Sequence, residues 1–431
     1  MDIAQLYQIF KQYPSVQTDT RKIKEGDIFF ALKGPHFNGN LFAHAALDAG
    51  AAYAIVDDPL VANQSNILLV EDVLETLQQL ALHHRKQFSI PFIAITGSNG
   101  KTTTKELITT VLNSRFKTYA TEGNLNNHIG IPLTLLKIKP DAEIAVIEMG
   151  ANHQKEIESY CKITLPTHGI ITNCGKAHIE GFGGENGVRK GKGELYDFLA
   201  KSDGTIFRNT DLPYLKEMSV AIQKQITYGS ANAYFIGKAL TYDDMFLEVA
   251  VLSRNAEVKI ATHLVGAFNF PNVMVAIAVG LHFGIGIDDV KMAIEQYQPD
   301  NSRSQFIQVK NNSVILDAYN ANPTSMKAAI ENFATLPAHK KILWLGGMKE
   351  MGQAEEKEHQ ALVELVEKWK WENVVLVGRE FKNCIGQYQW FETSALAAEA
   401  LSQHKPEDAT ILIKGSRGSK MELLLEMLQK S

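Results

Sequence analysis

The stretch Phe92–Lys105 has the sequence FIAITGSNGKTTTK, in which an apolar run gives way to glycines and then to Lys-Thr-Thr. The apolar run predicts a buried strand, and the residues from Lys101 onward predict a helix. Glycines between a strand and a helix let the backbone approach a phosphate, and the amides at the start of the helix point towards the anion. The stretch therefore predicts a nucleoside triphosphate site.

This loop departs from the usual phosphate loop in one position. Lys101 and Thr102 have the spacing that places a lysine on the β- and γ-phosphates and a hydroxyl on Mg²⁺. The usual loop has a further glycine six residues before the lysine, where this chain has Ile95. The alternative, a glycine turn beside a solvated lysine, is weaker because strand, glycines, Lys-Thr and helix follow in the required order. We expect the phosphates to contact Gly97, Ser98, Asn99, Gly100, Lys101, Thr102 and Thr103.

Composition narrows the class of protein. A chain of 431 residues exceeds what one hydrophobic core usually supports. Its net charge of -5, without a basic block, argues against a nucleic-acid partner. The longest nearly apolar stretch, Met274 to Phe283, is shorter than the roughly 18–20 residues that cross a bilayer, and the N-terminus lacks a basic region. We therefore expect a cytoplasmic protein that does not enter the membrane. The three cysteines lack C-x-x-C spacing, which argues against a disulfide framework or structural zinc.

The hydrophobic pattern predicts an α/β protein of three domains. Residues 1–88 alternate short apolar runs with helical patterns and predict a small α/β module. Residues 89–298 predict a central P-loop mononucleotide-binding domain, a parallel sheet with crossover helices whose second half, about 204–265, is an antiparallel extension. Residues 299–431 predict a Rossmann-like doubly wound domain, with its ligand edge at the carboxyl ends of its strands.

Several polar residues follow predicted strands and are candidates for chemistry. Glu148 ends an apolar run beside the phosphate loop, so we interpret it as a metal ligand in preference to a solvated edge residue. His178 follows another strand, and a metal or phosphate role and a structural role stay equally open. Lys190 and Lys192, from sequence chemistry alone, indicate a solvated basic turn.

Other clusters have weaker signals. Asn126 and Asn127 form either a simple turn or a row of donors and acceptors for a polar substrate. Arg303 and the segment Lys414-Gly415-Ser416-Arg417 offer cations that face the triphosphate from a second domain and stabilise charge in phosphoryl transfer. Taken separately, each is typical of a surface arginine or lysine.

Together these segments resemble the Mur ligases, the ATP-dependent amide-forming enzymes of peptidoglycan precursor synthesis. The resemblance covers essentially the whole chain and includes the shortened loop. It is carried by Thr96–Thr103, Glu148-Met149-Gly150, Asn173 with His178, Gly266 with Asn269 and Asn272, Arg303, and Asp317-Ala318-Tyr319-Asn320. Thr18–Arg21 and Gly26–Gly34 resemble the uridine-binding module of the family.

Two asparagine-rich segments, Gly123–Leu136 and Tyr319–Met326, resemble the branch of the family that joins UDP-MurNAc-tripeptide to D-Ala-D-Ala. The alternatives in the same class are the diaminopimelate- or lysine-adding ligase and folylpolyglutamate synthase. A nucleotide-gated protein that hydrolyses ATP without joining substrates is the alternative from another class. A monomer is expected.

The resemblance implies a role for each matching residue. ATP lies on the phosphate loop, with Asn272 at adenine, Asp317 at ribose and Arg303 at the γ-phosphate. One Mg²⁺ is held by Thr102 and Glu148, and a second by His178 and a carbamate on Lys192, with Lys190 as the alternative lysine. The catalytic group comprises Lys101, Lys192, His178 and Arg303.

Substrate contacts are implied in the same way. The uridine diphosphate end is assigned to Asp19, Thr20 and Arg21, and the region between pyrophosphate and sugar to Asn126 and Asn127. The dipeptide pocket is assigned to Tyr319, Asn320 and Asn322.

The chain departs from the family pattern at three places. It has Asn38-Gly39-Asn40 where relatives commonly have Asp-Gly-His, and Gly347 where they commonly have aspartate. Arg303 is followed by Ser304-Gln305, without the acidic residue of many relatives.

Overall fold

The computed structural model describes residues 2–240, 245–253 and 256–430. Within these ranges the strands form sheets of four, nine and six strands, with a two-stranded ribbon in addition. The α/β class predicted from the hydrophobic pattern is confirmed. None of the helices in the described ranges is both long and apolar enough to cross a membrane.

The N-terminal part is a four-stranded parallel sheet of order β1-β2-β5-β6. Asp2 and Asp72 cap its first and third helices by accepting hydrogen bonds from backbone amides. The elements are α1 (Ile3–Gln12), β1 (Val16–Gln17), β2 (Ile28–Phe30), β3 (Lys33–Gly34), β4 (Phe37–Asn38), α2 (Ala43–Asp48), β5 (Tyr53–Val56), β6 (Ile67–Leu69) and α3 (Val73–Arg85).

The central part is a nine-stranded sheet of order β15-β14-β13-β12-β11-β10-β7-β9-β8. Its elements are β7 (Phe92–Thr96), α4 (Lys101–Asn113), β8 (Thr118–Ala120), α5 (Gly130–Leu136), β9 (Ile144–Glu148), α6 (Glu156–Thr164), β10 (His168–Ile171), α7 (Ile179–Phe182), α8 (Glu185–Lys201), β11 (Thr205–Asn209), α9 (Pro213–Met218), β12 (Lys224–Gly229), β13 (Phe235–Leu240), β14 (Phe246–Ser253), β15 (Ala256–Val265), α10 (Phe270–His282) and α11 (Ile287–Gln296).

The mode of strand pairing in this sheet changes once, from parallel to antiparallel. Pairing is parallel from β8 to β13 and antiparallel from β13 through β14 to β15. The predicted antiparallel extension therefore begins at β13, later than expected, because β11 and β12 continue the parallel part.

The solvated basic turn predicted at Lys190 and Lys192 is wrong, since both residues lie in helix α8. Gly187 and Gly191 lie against Phe182, and a Cβ atom added at either would come within 2.4 Å or less of it. This close approach buries one face of α8. Lys192 lies on the buried face, whereas Lys190 is exposed.

The C-terminal part is a six-stranded sheet of order β16-β17-β21-β18-β19-β20, parallel except for the β16–β17 pair. Its elements are β16 (Gln305–Val309), β17 (Asn312–Asp317), α12 (Pro323–Thr335), β18 (Lys341–Gly346), α13 (Glu355–Val366), β19 (Asn373–Val377), β20 (Gln389–Phe391), α14 (Ser394–Ser402), β21 (Thr410–Lys414) and α15 (Glu422–Gln429). Separate hydrophobic clusters cover its two faces.

The N-terminal and central sheets share one hydrophobic core. Leu77 and Leu80 of α3 belong to the same buried cluster as Ile131 and Leu135 of α5. Arg85 adds a polar link, because its guanidinium donates to the carbonyl oxygens at the C-terminal end of α6. These contacts fix the N-terminal sheet on the central one.

Candidate active site

A cavity of about 830 Å³ lies at the carboxyl edge of the central sheet and faces the C-terminal sheet. Ligands of α/β proteins bind at such an edge. Predicted site residues from both sheets meet there: Ser98, Asn99, Gly100, Lys101, Thr102, Thr103, Asn126, Asn127, Glu148, His178, Asn272, Arg303, Asp317, Tyr319 and Asn320.

The phosphate loop has the backbone that its glycines permit. Gly97 and Gly100 have φ angles of 146° and 79°, in the region that favours glycine. A Cβ atom at Gly97 would lie 2.0 Å from Thr172 Oγ1. Among the described residues no side chain caps the N-terminus of α4 at Gly100, so its first amides are available to an anion.

Lys101 is held inside this loop. Its Nζ donates a hydrogen bond of 2.7 Å to the Gly97 carbonyl. Burial lowers the pKa of Lys101 to about 8, against the opposing effect of Glu148. An anionic ligand would favour the charged form, so this lysine is suited to a phosphate.

The residues that follow β10 form hydrogen bonds with the phosphate loop. Asn173 Oδ1 accepts a hydrogen bond of 3.0 Å from the Asn99 amide, and its carbonyl accepts one of 2.9 Å from the Ser98 amide. Thr172 Oγ1 donates to the Asn99 carbonyl at 2.6 Å. The segment after β10 therefore fixes the loop conformation.

Glu148 has the geometry of a cation ligand. It is 1% exposed, and its Oε1 accepts a hydrogen bond of 2.7 Å from Asn126 Nδ2. Its Oε2 has no hydrogen-bond partner among the residues that the structure describes. A buried carboxylate oxygen without a donor is the chemistry that Mg²⁺ satisfies, and the Thr102 hydroxyl is available on the neighbouring loop.

His178 lines the cavity, whereas Lys192 lies on the buried face of α8 outside the cavity lining. The Nδ1 atom of His178 contacts the carboxylate of Glu350, which follows β18 of the C-terminal sheet. Burial lowers the pKa of His178, although Glu350 acts in the opposite direction. Lys192 is 1% exposed, and its Nζ donates to the Ala151 carbonyl at 3.1 Å. Burial, with nearby Lys101, lowers the pKa of Lys192 to about 7.

Asn272 also lines the cavity, and its side-chain oxygen and nitrogen each form a hydrogen bond. Its Oδ1 accepts from Thr104 Oγ1 at 3.1 Å and its Nδ2 donates to Asn269 Oδ1 at 2.9 Å. A Cβ atom at Gly100 would lie 2.6 Å from Asn272 Oδ1, so this side chain also fits against the phosphate loop.

Cations of the C-terminal part line the cavity, among them Lys414, Arg303 and Arg417. Lys414 is 1% exposed, and its Nζ donates to Asp317 Oδ2 at 2.5 Å, so this lysine is not the free cation that the sequence indicated. The Arg303 guanidinium lies 3.9 Å from the centre of the Tyr319 ring, and Arg417 lies 5.6 Å from the same ring. The guanidinium groups of two arginines thus lie near the same tyrosine ring at the cavity.

Some predicted residues lie outside the cavity lining. Asp19 and Arg21 pair with each other at 2.8 Å on an exposed turn that includes Thr20. Hydrogen bonding to Arg21 lowers the pKa of Asp19 to about 2. Asn322 caps α12 through its Oδ1 and donates from Nδ2 to Asn99 Oδ1 at 2.7 Å, so it contacts the phosphate loop.

The unusual Asn38-Gly39-Asn40 segment has a structural explanation. Asn40 is 1% exposed, and its Nδ2 donates to Asn38 Oδ1 at 3.0 Å and to Asp57 Oδ1 at 2.7 Å. Gly39 is required because a Cβ atom would lie 2.5 Å from the Leu32 carbonyl. The segment ties the ribbon to β5.

Sequence reasoning missed the residues that join the two sheets across the cavity. Besides Glu350, Glu358 of α13 forms an ion pair of 2.9 Å with Lys176, and the Lys176 amide donates to Thr324 Oγ1 at 3.1 Å. The position of Glu350 just after a C-terminal strand was an available signal, because such residues face the ligand edge.

Models of known protein families match three consecutive segments that cover most of the chain. Three family models match: the Mur ligase family, catalytic domain, at residues 12–85; the Mur ligase middle domain at residues 95–280; and the Mur ligase, glutamate ligase domain, at residues 302–417.

Full-length relatives carry more specific names. The UDP-N-acetylmuramoyl-tripeptide–D-alanyl-D-alanine ligase of Bacillus subtilis is 33% identical, over 96% of this chain and 93% of that protein. A crystal structure of MurF from Acinetobacter baumannii has 30% identity and a TM-score of 0.86, covering 96% of this chain and 93% of that one. MurF ligase from Thermotoga maritima, in complex with ADP, has 26% identity and a TM-score of 0.86, covering 96% and 97% of the chains. The chain therefore belongs to the Mur ligase family.

Proposed function

We propose that this protein joins the terminal carboxylate of UDP-MurNAc-tripeptide to the amine of D-Ala-D-Ala, with ATP converted to ADP and phosphate, in peptidoglycan precursor synthesis. The observation that carries the proposal is that the phosphate loop, Glu148 and Arg303 face one cavity in a chain that is similar along its length to such ligases. The ADP named in the Thermotoga structure supports ATP as the nucleotide.

ATP is proposed to lie with its phosphates on residues 97–103 and its adenosine towards Asn272 and Asp317. The amides at the start of α4 and the Lys101 ammonium hold the phosphates. Asn272 retains one N–H of its amide for the base after its bonds to Thr104 and Asn269. Asp317 offers the ribose its carboxylate while Lys414 balances the charge.

Two Mg²⁺ sites are proposed, one at Thr102 and Glu148 and one at His178 and Lys192. The metals, when bound, supply positive charge opposite the phosphate oxygens. Lys192 fits this site as a carbamate: its neutral amine nitrogen bonds to the carbon of CO₂ and a proton leaves to water, which turns a buried cation into an anionic oxygen ligand. Its burial supports this assignment, and the exposure of Lys190 argues against the alternative lysine.

The proposed reaction has two steps. A carboxylate oxygen of the tripeptide attacks the γ-phosphorus and ADP leaves, which forms an acyl phosphate. The dipeptide amine then attacks the acyl carbon, phosphate leaves, and a proton is released as the amide forms. Lys101 and Arg303 stabilise the charge on the transferred group.

The substrates are proposed to bind across three domains, 1–88, 89–298 and 299–431. Asp19, Thr20 and Arg21 hold the uridine diphosphate end, and Asn127, with Asn126 already bound to Glu148, lies towards the sugar. Tyr319, Asn320 and Asn322 lie towards the dipeptide. Closure of the C-terminal domain over the cavity is proposed because Arg303 and the phosphate loop face the same cavity from different domains. A cytoplasmic monomer is proposed.

The test is incubation of the protein with ATP, Mg²⁺, UDP-MurNAc-tripeptide and D-Ala-D-Ala, with pentapeptide and phosphate measured together. We expect pentapeptide and phosphate in equal amounts, and no phosphate release when either substrate is omitted. Phosphate release without the dipeptide and without product would indicate an ATP-hydrolysing switch. Parallel reactions with the diaminopimelate and lysine tripeptides define the third residue of the donor.

A further inference from the structure

The linker between the central and C-terminal sheets is fastened to the helix that carries the phosphate loop. Glu106 lies on α4, five residues after Lys101, and its side chain is 23% exposed. Its Oε2 accepts a hydrogen bond of 2.6 Å from the Tyr297 hydroxyl, and both of its carboxylate oxygens lie 2.8 Å from Asn301 Nδ2. One carboxylate thus holds two residues at the start of the linker.

The hydrogen bonds to the Glu106 carboxylate are stronger than hydrogen bonds between neutral groups. Glu106 is charged, so its hydrogen bonds are of the charge-assisted kind. Lys105 lies 3.4 Å from Glu106 Oε1 and adds a partner. Asn301 depends on Glu106, because its side-chain oxygen has no partner in the part of the chain that the structure describes.

Arg303 lies two residues beyond this attachment. Ser302 and Ser304 on either side of it have φ angles of 57° and 50°, in the left-handed region that non-glycine residues seldom adopt. The Ser302 carbonyl accepts a hydrogen bond of 3.0 Å from the Ala318 amide, which fastens the other end to the C-terminal sheet. Arg303 is therefore held between an attachment to α4 and an attachment after β17.

The direction of Arg303 matters because no hydrogen bond within the described residues fixes its guanidinium, which packs on one ring. Its Nε is buried without a hydrogen-bond partner, and its guanidinium lies over the Tyr319 ring. The backbone on either side of Arg303 must then set where the guanidinium meets the phosphates. An error of about 1 Å in such a group can lower a rate about 100-fold.

We propose that Glu106 is a positioning residue for Arg303. It fixes the first half of the linker on the helix of the phosphate loop, so that closure of the C-terminal domain pivots after Asn301 and returns Arg303 to one place opposite Lys101. This inference rests on the proposed function for its kinetic consequence, and on the contacts of Glu106 for its structural one.

The kinetic test compares Glu106→Ala, Glu106→Gln and Arg303→Ala with the combined Glu106→Ala/Arg303→Ala variant. We expect Glu106→Ala to lower kcat about 10- to 100-fold while the KM for ATP changes less than about threefold. In the Arg303→Ala background the same substitution should have no further effect, because Glu106 acts through the arginine. An equal loss in both backgrounds, or an unchanged kcat in Glu106→Ala, would overturn the proposal.

Glu106→Gln serves as the conservative control. A glutamine accepts from the Tyr297 hydroxyl through its Oε1, and when the Asn301 amide turns over, it donates from Nε2 to Asn301 Oδ1, which has no partner in the described residues. We therefore expect Glu106→Gln to restore most of the kcat lost in Glu106→Ala. A glutamine variant as slow as the alanine variant contradicts a role based on these hydrogen bonds.

Hydrogen exchange gives a readout that needs no substrate. Amides of residues 297–304 should exchange about 10-fold faster or more in Glu106→Ala than in the wild-type protein, whereas those of β17 should not change. Unchanged exchange there would refute the attachment even if kcat falls. If the wild-type protein forms no pentapeptide, the proposed function fails, and the exchange result alone decides on the attachment. Should Glu106→Ala not fold, Asn301→Ala removes the same contact from the linker side.

Discussion

Replacing Lys192 by methionine separates a carbamylated metal ligand from a buried structural lysine. Methionine is an unbranched side chain one atom shorter than lysine, and it fills most of the same space without the amine. Lys190→Met is the matched control, because Lys190 lies on the same helix and is exposed. Both variants lose one lysine of the same helix, and the two lysines differ in burial.

The size of the effect follows from burial. The pKa of Lys192 is lowered from 10.5 to about 7, so close to half of the amine is neutral at pH 7. At the ordinary lysine pKa only about 1 amine in 3,000 is neutral at this pH. Because CO₂ reacts with the neutral form, Lys192 should form the carbamate about a thousand times more readily than a surface lysine.

The assay is ¹³C NMR of the protein in ¹³C-bicarbonate, together with pentapeptide formation. We expect one protein carbamate resonance in the wild type and in Lys190→Met, and none in Lys192→Met. The resonance should fade as the pH falls to about 5, because the amine is then protonated. The kcat of Lys192→Met should fall at least about 100-fold, since a metal ligand contributes several kcal/mol.

Three results would refute this reasoning. A resonance that persists in Lys192→Met places the carbamate elsewhere, and one that vanishes in Lys190→Met assigns it to the exposed lysine. A kcat in Lys192→Met equal to that of the wild type removes the lysine from the metal site. Folding is checked by Tm, which should change little because removal of a buried amine is favourable whereas the Ala151 carbonyl loses its donor.

Three further predictions concern the arginines and a buried histidine. Arg303→Ala should lower kcat about 1,000-fold with an unchanged Tm, as judged by pentapeptide formation, and a loss of only a few-fold would contradict its place at the γ-phosphate. Arg417 lies 5.6 Å from the ring of Tyr319, one of the residues assigned to the dipeptide, so we expect its guanidinium to pair with the dipeptide carboxylate. Arg417→Ala should then raise the KM for D-Ala-D-Ala about 10-fold and no longer distinguish the dipeptide from its C-terminal amide, and retained discrimination would exclude this pairing. Burial, with His282 nearby, lowers the pKa of His168 to about 4, so the unfolded state binds its proton first and the free energy of unfolding should fall by up to about 3 kcal/mol from pH 6.5 to pH 4. In urea titrations, His168→Gln should lose that part of the pH dependence, and an unchanged slope would contradict the assignment.

Much of the site follows from the sequence because of one topological fact. Parallel strands of one sheet end at the same edge, so Glu148 and His178, each placed after an apolar run, come to one edge of the central sheet. Asp317 ends a strand of the C-terminal sheet and reaches the same cavity because the two sheets face each other there. The strands themselves are strongly apolar runs, and their type was predictable for that reason.

What could not be predicted depends on contacts distant in sequence. The burial of Lys192 depends on Gly187 and Gly191, which lie on one face of α8 and admit Phe182. Their spacing of four residues in a helical pattern was the signal. The pairing of Lys414 with Asp317 depends on the register of β17 and β21, which the sequence does not specify.

The common core of the N-terminal and central sheets fixes the distance between the turn at Asp19 and the phosphate loop. The turn at Asp19 and the phosphate loop lie on parts that share one core and one buried arginine, Arg85, so their separation stays the same in the proposed closure of the C-terminal domain. With the donor placed as proposed, a peptide shortened by one residue would end about 3.5 Å short of the γ-phosphate. In this arrangement two sites that do not move set the length of the donor, and closure brings Arg303 and the acceptor residues to them.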